Sequence, residues 1–202
     1  MKIKVIFIDV GGVLVLSTGT KKRREWEDKL GIEPHALTEM VQEVIPASLA
    51  TIGKISSKQI WDNISQKISL TGIELIKLKE DYFAGDQLNT QLYNFIKEIR
   101  NNYQVVIASN GWDEVRSVYT DKYYLDRITD KMIISSEIGM AKPDKEFYEY
   151  ALDLLKAKPE EVIFIDDSIE NIATAEELGF NTILFSDTVS AIEEIKKYLD
   201  RS

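Results

Sequence analysis

Residues 4–14 read KVIFIDVGGVL, and this stretch decides how the rest of the chain is interpreted. Its first half is a short run of Val, Ile and Phe, apolar on both faces, which is typical of a strand in the middle of a parallel sheet. The run ends at Asp9, and two glycines, Gly11 and Gly12, follow at once. Open α/β sheets bind ligands at the carboxyl ends of their strands. The stretch therefore predicts a central strand with a candidate functional aspartate at its end.

Two further runs have the same character, at residues 104–108 and 162–165, and two weaker runs, at residues 132–134 and 182–185, predict further strands. Between and after them, apolar residues recur at helical spacing, in four stripes near residues 88–99, 147–155, 172–178 and 192–199. Strands that alternate with helices favour a doubly wound α/β fold built on a parallel sheet.

The segment from about residue 18 to residue 86 breaks this alternation. It contains several short helical patterns and no convincing strand. We therefore expect an α/β core formed by residues 1–17 and 87–202, with a small helical cap, residues 18–86, inserted after the first strand. Trp26 and Trp61 are expected in the interior of that cap.

Composition and charge exclude some classes of function. The 202 residues carry a net charge of −9, whereas nucleic-acid binding requires a basic surface. The chain has no cysteine, which excludes disulfides and cysteine metal sites. The N-terminus resembles a signal peptide, but Asp9 interrupts its apolar run, and no stretch approaches the roughly 20 apolar residues of a membrane span. We expect a soluble cytoplasmic protein that binds a small molecule rather than nucleic acid or a membrane; the sequence does not indicate its oligomeric state.

Polar residues follow the three strongest strand runs. Asp9 ends the first, Ser109 and Asn110 end the second, and the pair Asp166–Asp167 ends the third. Lys142 precedes a predicted helix between the last two. Carboxylates that converge on one point are suited to Mg²⁺, while a hydroxyl, backbone N–H groups and a lysine can hold a phosphate. An aspartate beside such a metal can attack phosphorus, so the set indicates phosphoryl transfer.

Four motifs in this order resemble those of the haloacid dehalogenase superfamily: FIDVGGVL at 7–14, IASNG at 107–111, GMAKPD at 139–144 and FIDDSIEN at 164–171. The resemblance extends over essentially the whole chain, including the helical insertion. Within the superfamily, the branch that holds alpha-D-glucose-1-phosphate phosphatases and the N-terminal phosphatase domain of soluble epoxide hydrolases is the most similar.

The resemblance implies a role for each matching residue. Asp9 would be the nucleophile, with Ser109 and Lys142 as the other catalytic residues, and Asn110 and Gly111 would contact the substrate. Trp112 directly follows this motif and is a further candidate to line the substrate pocket. The metal, Mg²⁺, would be held by Asp9, the backbone carbonyl of Gly11, Asp167 and Asp166, the last mainly in support. The implied activity is hydrolysis of small phosphorylated metabolites, such as glucose 1-phosphate, through an aspartyl-phosphate.

One departure from the family pattern affects the expected chemistry. Most phosphatases of the superfamily carry a second aspartate, the general acid, two residues after the nucleophile, where this chain has Gly11. General acid catalysis is typically worth about 10²–10⁴ in rate. The departure leaves two alternatives open, a 2-haloacid dehalogenase and a non-catalytic module that binds phosphate ligands. The retained pair Asp166–Asp167 favours the metal-dependent phosphatase over the dehalogenase.

Overall fold

A five-stranded parallel sheet forms the centre of the molecule. The structure, a computed structural model, describes residues 2–200, without the side chains of residues 44–46. The strands are β1 (Val5–Ile8), β4 (Gln104–Ser109), β5 (Lys131–Ile134), β6 (Val162–Asp166) and β7 (Asn181–Leu184). Their spatial order is β5-β4-β1-β6-β7, and every pairing is parallel. All five strands predicted from the sequence are confirmed, with ends shifted by at most one residue.

Helices cover both faces of this sheet. Four of them follow or connect the strands of the core: α6 (Thr90–Ile99), α9 (Lys145–Leu155), α10 (Ile169–Glu177) and α11 (Thr188–Asp200). Short turns complete the connections: α7 (Val115–Ser117), a π-helical segment (Val118–Lys122), 3₁₀ turns (Leu125–Arg127 and Pro159–Glu161) and α8 (Ser135–Ile138).

Alternate residues of β1 serve the two faces of the sheet. Ile6 and Ile8 pack into a cluster with residues of α6 and α11, whereas Val5 and Phe7 pack into a second cluster with residues of α9 and α10. Successive side chains of a strand point to opposite faces, so a run without polar residues is buried on both. The doubly wound α/β architecture is therefore confirmed.

The segment between β1 and α6 begins and ends in a small antiparallel pair of strands that the sequence analysis missed. Strand β2 (Val15–Ser17) pairs with β3 (Asp86–Leu88). Each strand has only three residues, too few to show a period. Leu88, which fits the spacing of the next helical stripe, consequently lies in β3, and α6 begins at Thr90 after the N-cap Asn89. The expected boundary at residues 86 and 87 falls inside β3.

Five helices lie between β2 and β3 and share a core of their own. They are α1 (Lys21–Leu30), α2 (Ala36–Val41), α3 (Val44–Thr51), α4 (Ser57–Lys67) and α5 (Gly72–Tyr82). Trp26 and Trp61 are both buried in this core, as the sequence analysis expected, and the indole N–H of Trp26 donates to Asp81 at 3.0 Å. In residues 2–200, no helix is both long enough and apolar enough to cross a membrane.

Candidate active site

The three aspartates predicted at strand ends meet at the carboxyl edge of the sheet. Strands β1 and β6 are neighbours in register, Ile8 beside Ile165, so Asp9 and Asp166 follow at the same level. One carboxylate oxygen from each of Asp9, Asp166 and Asp167 lies within 4.8 Å of the others. Asp166 is fully buried and Asp9 nearly so, whereas Asp167 is exposed.

Lys142 lies between two of these carboxylates. Its ammonium donates to Asp9 Oδ1 at 2.9 Å and to Asp166 Oδ2 at 2.6 Å, and its side chain is almost completely buried. Burial by itself would lower the pKa of Lys142, but the charges of Asp9 and Asp166 and the two hydrogen bonds outweigh burial and raise it. The lysine therefore stays charged beside Asp9.

The ionisation of Asp9 is finely balanced. Burial raises the pKa of its carboxyl to about 6, because the charge of Lys142 only partly offsets the desolvation, and the charge of Asp166 adds to the rise. The pKa of Asp167 is also raised, first by the partial desolvation of its carboxylate and then by the charge of Asp166. Three carboxylates and one ammonium leave a surplus of two negative charges when all are ionised.

Asp166 is held by donors on both of its oxygens. Oδ2 accepts from Lys142, while Oδ1 accepts from the backbone N–H of Ser168 and from Asn171 Nδ2, both at 2.9 Å. Ser168 is also the N-cap of α10, so the start of this helix fixes the carboxylate. Asp166 therefore has little capacity left to bind a cation directly.

Gly11 and Gly12 shape the loop that faces Asp167. Gly12 has φ +75°, and a Cβ on it would lie 1.9 Å from Asp167 Oδ2, so only glycine lets this carboxylate reach its position. Gly11 is exposed and has no atom within 4 Å of where a Cβ would stand. The structure therefore has room for an aspartate side chain at position 11.

The end of β4 brings Ser109 and Asn110 to the same edge, beside Asp9. The side-chain amide of Asn110 pairs with the backbone of Lys142: Nδ2 donates to the carbonyl at 2.7 Å, and Oδ1 accepts from the N–H at 2.9 Å. This pairing lies directly before the cis peptide bond between Lys142 and Pro143. The Asn110 side chain thus orients Lys142. The backbone N–H of Asn110 is then the group of this residue that could reach a substrate.

Gly111 and Trp112 continue from this edge in different directions. The N–H of Gly111 donates to Ser135 Oγ at 3.0 Å, so Ser135, a buried residue that sequence reasoning missed, anchors the loop. Trp112 is half-buried against the core of the inserted helices. Contact of either residue with a substrate remains a prediction.

The inserted helices touch the core next to these residues. Asp113 Oδ1 accepts from the N–H of Ser57, the first residue of α4, at 2.9 Å. Burial would raise the pKa of Asp113, but this bond and backbone N–H groups of its own loop lower it. Gly53 has φ +70° and packs so closely on Ser136 that a Cβ would lie 2.2 Å from the Ser136 carbonyl oxygen. The helical segment therefore contacts the rim of the site.

Comparisons with known proteins show which family and which relatives the chain resembles. The profile of the haloacid dehalogenase-like hydrolases matches residues 3–179. The chain is 27% identical over 215 residues to bifunctional epoxide hydrolase 2 of Rattus norvegicus, covering 98% of this chain and 39% of that protein. The chain therefore spans about two fifths of the length of this relative. It is also 25% identical over 197 residues to D-ribitol-5-phosphate phosphatase of Bacteroides thetaiotaomicron, covering 89% of this chain and 90% of the phosphatase.

Solved structures share the fold. A HAD family enzyme from Bacteroides thetaiotaomicron, solved in complex with magnesium and inorganic phosphate, superimposes with a TM-score of 0.78 at 24% identity, covering 94% of this chain and 98% of that one. A 2-haloacid dehalogenase from Pseudomonas syringae superimposes with a TM-score of 0.67 at 17% identity, covering 98% and 99%. At these identities the likeness concerns the fold alone.

Proposed function

Because the chain belongs to the haloacid dehalogenase-like hydrolases, we propose that it is a magnesium-dependent phosphatase that hydrolyses small phosphate monoesters, with Asp9 as the nucleophile. The observation that carries the proposal is the buried ammonium of Lys142, bonded to both Asp9 and Asp166 at the carboxyl edge of the sheet. A fixed positive charge beside a nucleophile is what attack on an anionic phosphate requires.

The residues at this edge suit Mg²⁺. They offer only oxygen ligands, which this ion prefers, and their surplus of two negative charges equals the charge of one such ion. We assign Asp9, the Gly11 carbonyl and Asp167 as the ligands, and Asp166 as the residue that supports them, since its oxygens already accept from three donors. When bound, Mg²⁺ would neutralise charge on the transferring phosphoryl group.

The remaining steps belong to residues of the chain. The Asp9 carboxylate attacks phosphorus in line and forms an aspartyl-phosphate, while the ester oxygen leaves with the electrons of its bond to phosphorus and takes a proton from water. Ser109, the Asn110 backbone N–H and Lys142 hold the phosphoryl oxygens. Water then attacks the aspartyl-phosphate, which releases phosphate and restores Asp9.

We further propose that the substrate has a leaving group that needs little protonation. No acid stands at Gly11, and the lowered pKa of Asp113, at the rim, makes that residue a poor proton donor at neutral pH. An anomeric sugar phosphate such as glucose 1-phosphate meets this requirement. The similarity to D-ribitol-5-phosphate phosphatase supports a phosphorylated sugar or sugar alcohol as the class of substrate.

The inserted helices would act as a cap that excludes water and selects the substrate. The position of these helices supports this role. Helix α4 begins against Asp113, four residues after Ser109, and Trp112, three residues after Ser109, packs against the core of the helices. Residues 18–86 remain the proposed extent of the cap, with the β2–β3 pair at its base.

The first test is hydrolysis of p-nitrophenyl phosphate with Mg²⁺ and with excess chelator. Its leaving group departs without an acid, so Gly11 cannot mask activity. We expect metal-dependent turnover that Asp9→Asn abolishes and Asp187→Asn retains, because Asp187 is an exposed acid near the same sheet edge, outside the cluster. Lys142→Ala should lose at least about 10²-fold.

Other outcomes of these assays would point to a different function or to a different nucleophile. Turnover of a 2-haloacid in place of the phosphate ester would establish the dehalogenase. Binding of inorganic phosphate without turnover of either compound would establish the non-catalytic module. Full activity of Asp9→Asn would show that the nucleophile is misassigned.

A further inference from the structure

A buried tyrosine contacts the serine that is proposed to hold the phosphoryl group. The Tyr119 hydroxyl lies 2.8 Å from Ser109 Oγ, and the two residues are 6% and 1% exposed. Among the described residues, Ser109 Oγ is the hydrogen-bond partner of this hydroxyl. None of the four sequence motifs contains Tyr119.

The local backbone is unusual at this position. Tyr119 lies in the π-helical segment Val118–Lys122, in which the N–H of Tyr123 donates to the carbonyl of Val118, five residues back, at 3.3 Å. Such segments are rare and are frequent at functional sites. A π-helical turn contains one residue more than an α-helical turn. Because each residue of an α-helix turns by about 100°, this extra residue changes which side chain faces the sheet. In this chain the side chain that faces Ser109 is Tyr119.

The proton count sets the direction of the hydrogen bond in the working site. A serine hydroxyl has one proton and two lone pairs. If Ser109 donates its proton to a phosphoryl oxygen, its bond with Tyr119 must use a serine lone pair, and Tyr119 must be the donor. Burial raises the pKa of Tyr119 well above its ordinary value, so this hydroxyl keeps its proton.

We propose that Tyr119 is a positioning residue, whose hydroxyl donates to Ser109 Oγ and directs the serine proton towards the phosphoryl group. The inference rests on the proposed role of Ser109 as a phosphoryl ligand. Hydrogen bonds in such a chain polarise one another, so Tyr119 also makes Ser109 a better donor. Tyr119 itself does not touch the substrate.

The chain offers a matched control. Tyr123 belongs to the same apolar cluster, is also 6% exposed, and donates its hydroxyl proton to the backbone carbonyl of Asp86 at 3.3 Å, not to Ser109. Tyr123→Phe therefore removes a buried hydroxyl from the same region and leaves the site intact. Phenylalanine preserves the ring packing at both positions, so both variants should fold.

The experiment measures kcat/KM for p-nitrophenyl phosphate and the inhibition constant of inorganic phosphate, both with Mg²⁺. We expect Tyr119→Phe to lower kcat/KM about 3- to 10-fold and to weaken phosphate inhibition similarly, the size of one hydrogen bond, while Tyr123→Phe changes neither. In a Ser109→Ala background, Tyr119→Phe should cause no further loss, because the tyrosine acts only through the serine.

Two results would overturn the proposal: Tyr119→Phe with wild-type constants, or an equal loss in the presence and absence of Ser109. Failure of the phosphatase assignment is recognised separately, since the wild type would then not hydrolyse p-nitrophenyl phosphate. In that case, calorimetric titration of the same five proteins with inorganic phosphate decides whether Tyr119 strengthens phosphate binding through Ser109.

Discussion

Asp9 is held in the structure at a cost in stability. Burial raises the pKa of its carboxyl to about 6 from an ordinary 3.8. The folded state therefore binds this proton more tightly than the unfolded chain does. The stabilisation that the bound proton provides is complete below pH 3.8 and is lost as the pH rises through 6, so the ionised carboxylate is the form that costs stability. Functional sites commonly retain such unfavourable groups.

This balance predicts that Asp9→Asn stabilises the metal-free protein while abolishing turnover. Asparagine resembles the protonated carboxyl and can still accept from Lys142. The gain should be on the order of 1–3 kcal/mol at pH 8 and smaller at pH 5. Urea denaturation in excess chelator at the two pH values measures it. A variant less stable than the wild type at pH 8 would contradict the argument.

Gly11 stands where the family resemblance leads us to expect a second aspartate, and its surroundings make this difference testable. The space beyond Gly11 is open, and its φ is not positive, so a side chain fits there. We expect Gly11→Asp to raise kcat/KM for an alkyl phosphate, whose leaving group needs a proton, by at least about 10-fold relative to p-nitrophenyl phosphate. Gly11→Asn, of the same size but without an acidic proton, is the control. Equal effects of the two variants would rule out general acid catalysis from this position.

At the scale of elements, the two chain segments that enter and leave the helical insertion are joined. Thr18 donates both its N–H and its hydroxyl to the Gly85 carbonyl, each at 2.8 Å. A Cβ on Gly85 would lie 2.1 Å from the backbone oxygen of Gly19. The insertion is thus anchored where two backbones approach more closely than side chains permit.

Gly85→Ala should therefore separate these segments and destabilise the protein by about 1–3 kcal/mol, the usual cost of overpacking. Gly72→Ala is the matched control, since Gly72 begins α5 with nothing within 4 Å of an added Cβ, and it should be neutral or stabilising by up to about 1 kcal/mol. Urea denaturation compares the two variants. Equal stabilities would mean that the close approach has no structural role.

For the whole molecule, a negatively charged site lies in a chain that is itself negatively charged. The net charge is −9, and Asp9, Asp166 and Asp167 add repulsion at one point. A bound cation relieves this repulsion only in the folded state, so Mg²⁺ should stabilise folding by mass action, by about 2.7 kcal/mol at 100 times its dissociation constant.

Thermal denaturation with increasing Mg²⁺ tests this expectation. The midpoint should rise for the wild type and for Asp187→Asn, and rise much less for Asp167→Asn, which lacks a proposed ligand. A Ca²⁺ titration compares a cation of the same charge and larger size. If Asp167→Asn is stabilised as strongly as the wild type, the metal is held elsewhere.

What the sequence by itself determined is the pattern that depends on local runs. The five parallel strands follow from short apolar runs that must be buried on both faces, and the residues just after them must lie at one edge, because parallel strands end together. Asp9, Ser109, Asp166 and Asp167 could be selected on that ground. Lys142, in the loop before α9, was selected from its motif with the help of the family resemblance.

Only the tertiary structure decided what each of these residues contacts. The pairing of Asn110 with the Lys142 backbone, the anchoring of Gly111 by Ser135, and the approach of Tyr119 to Ser109 join residues 10–32 positions apart through side-chain atoms. Such contacts leave no periodic signal in the chain. The three-residue strands β2 and β3 escaped prediction for a related reason: each is stable only against its partner, about 70 residues away, and neither is long enough to show a pattern alone.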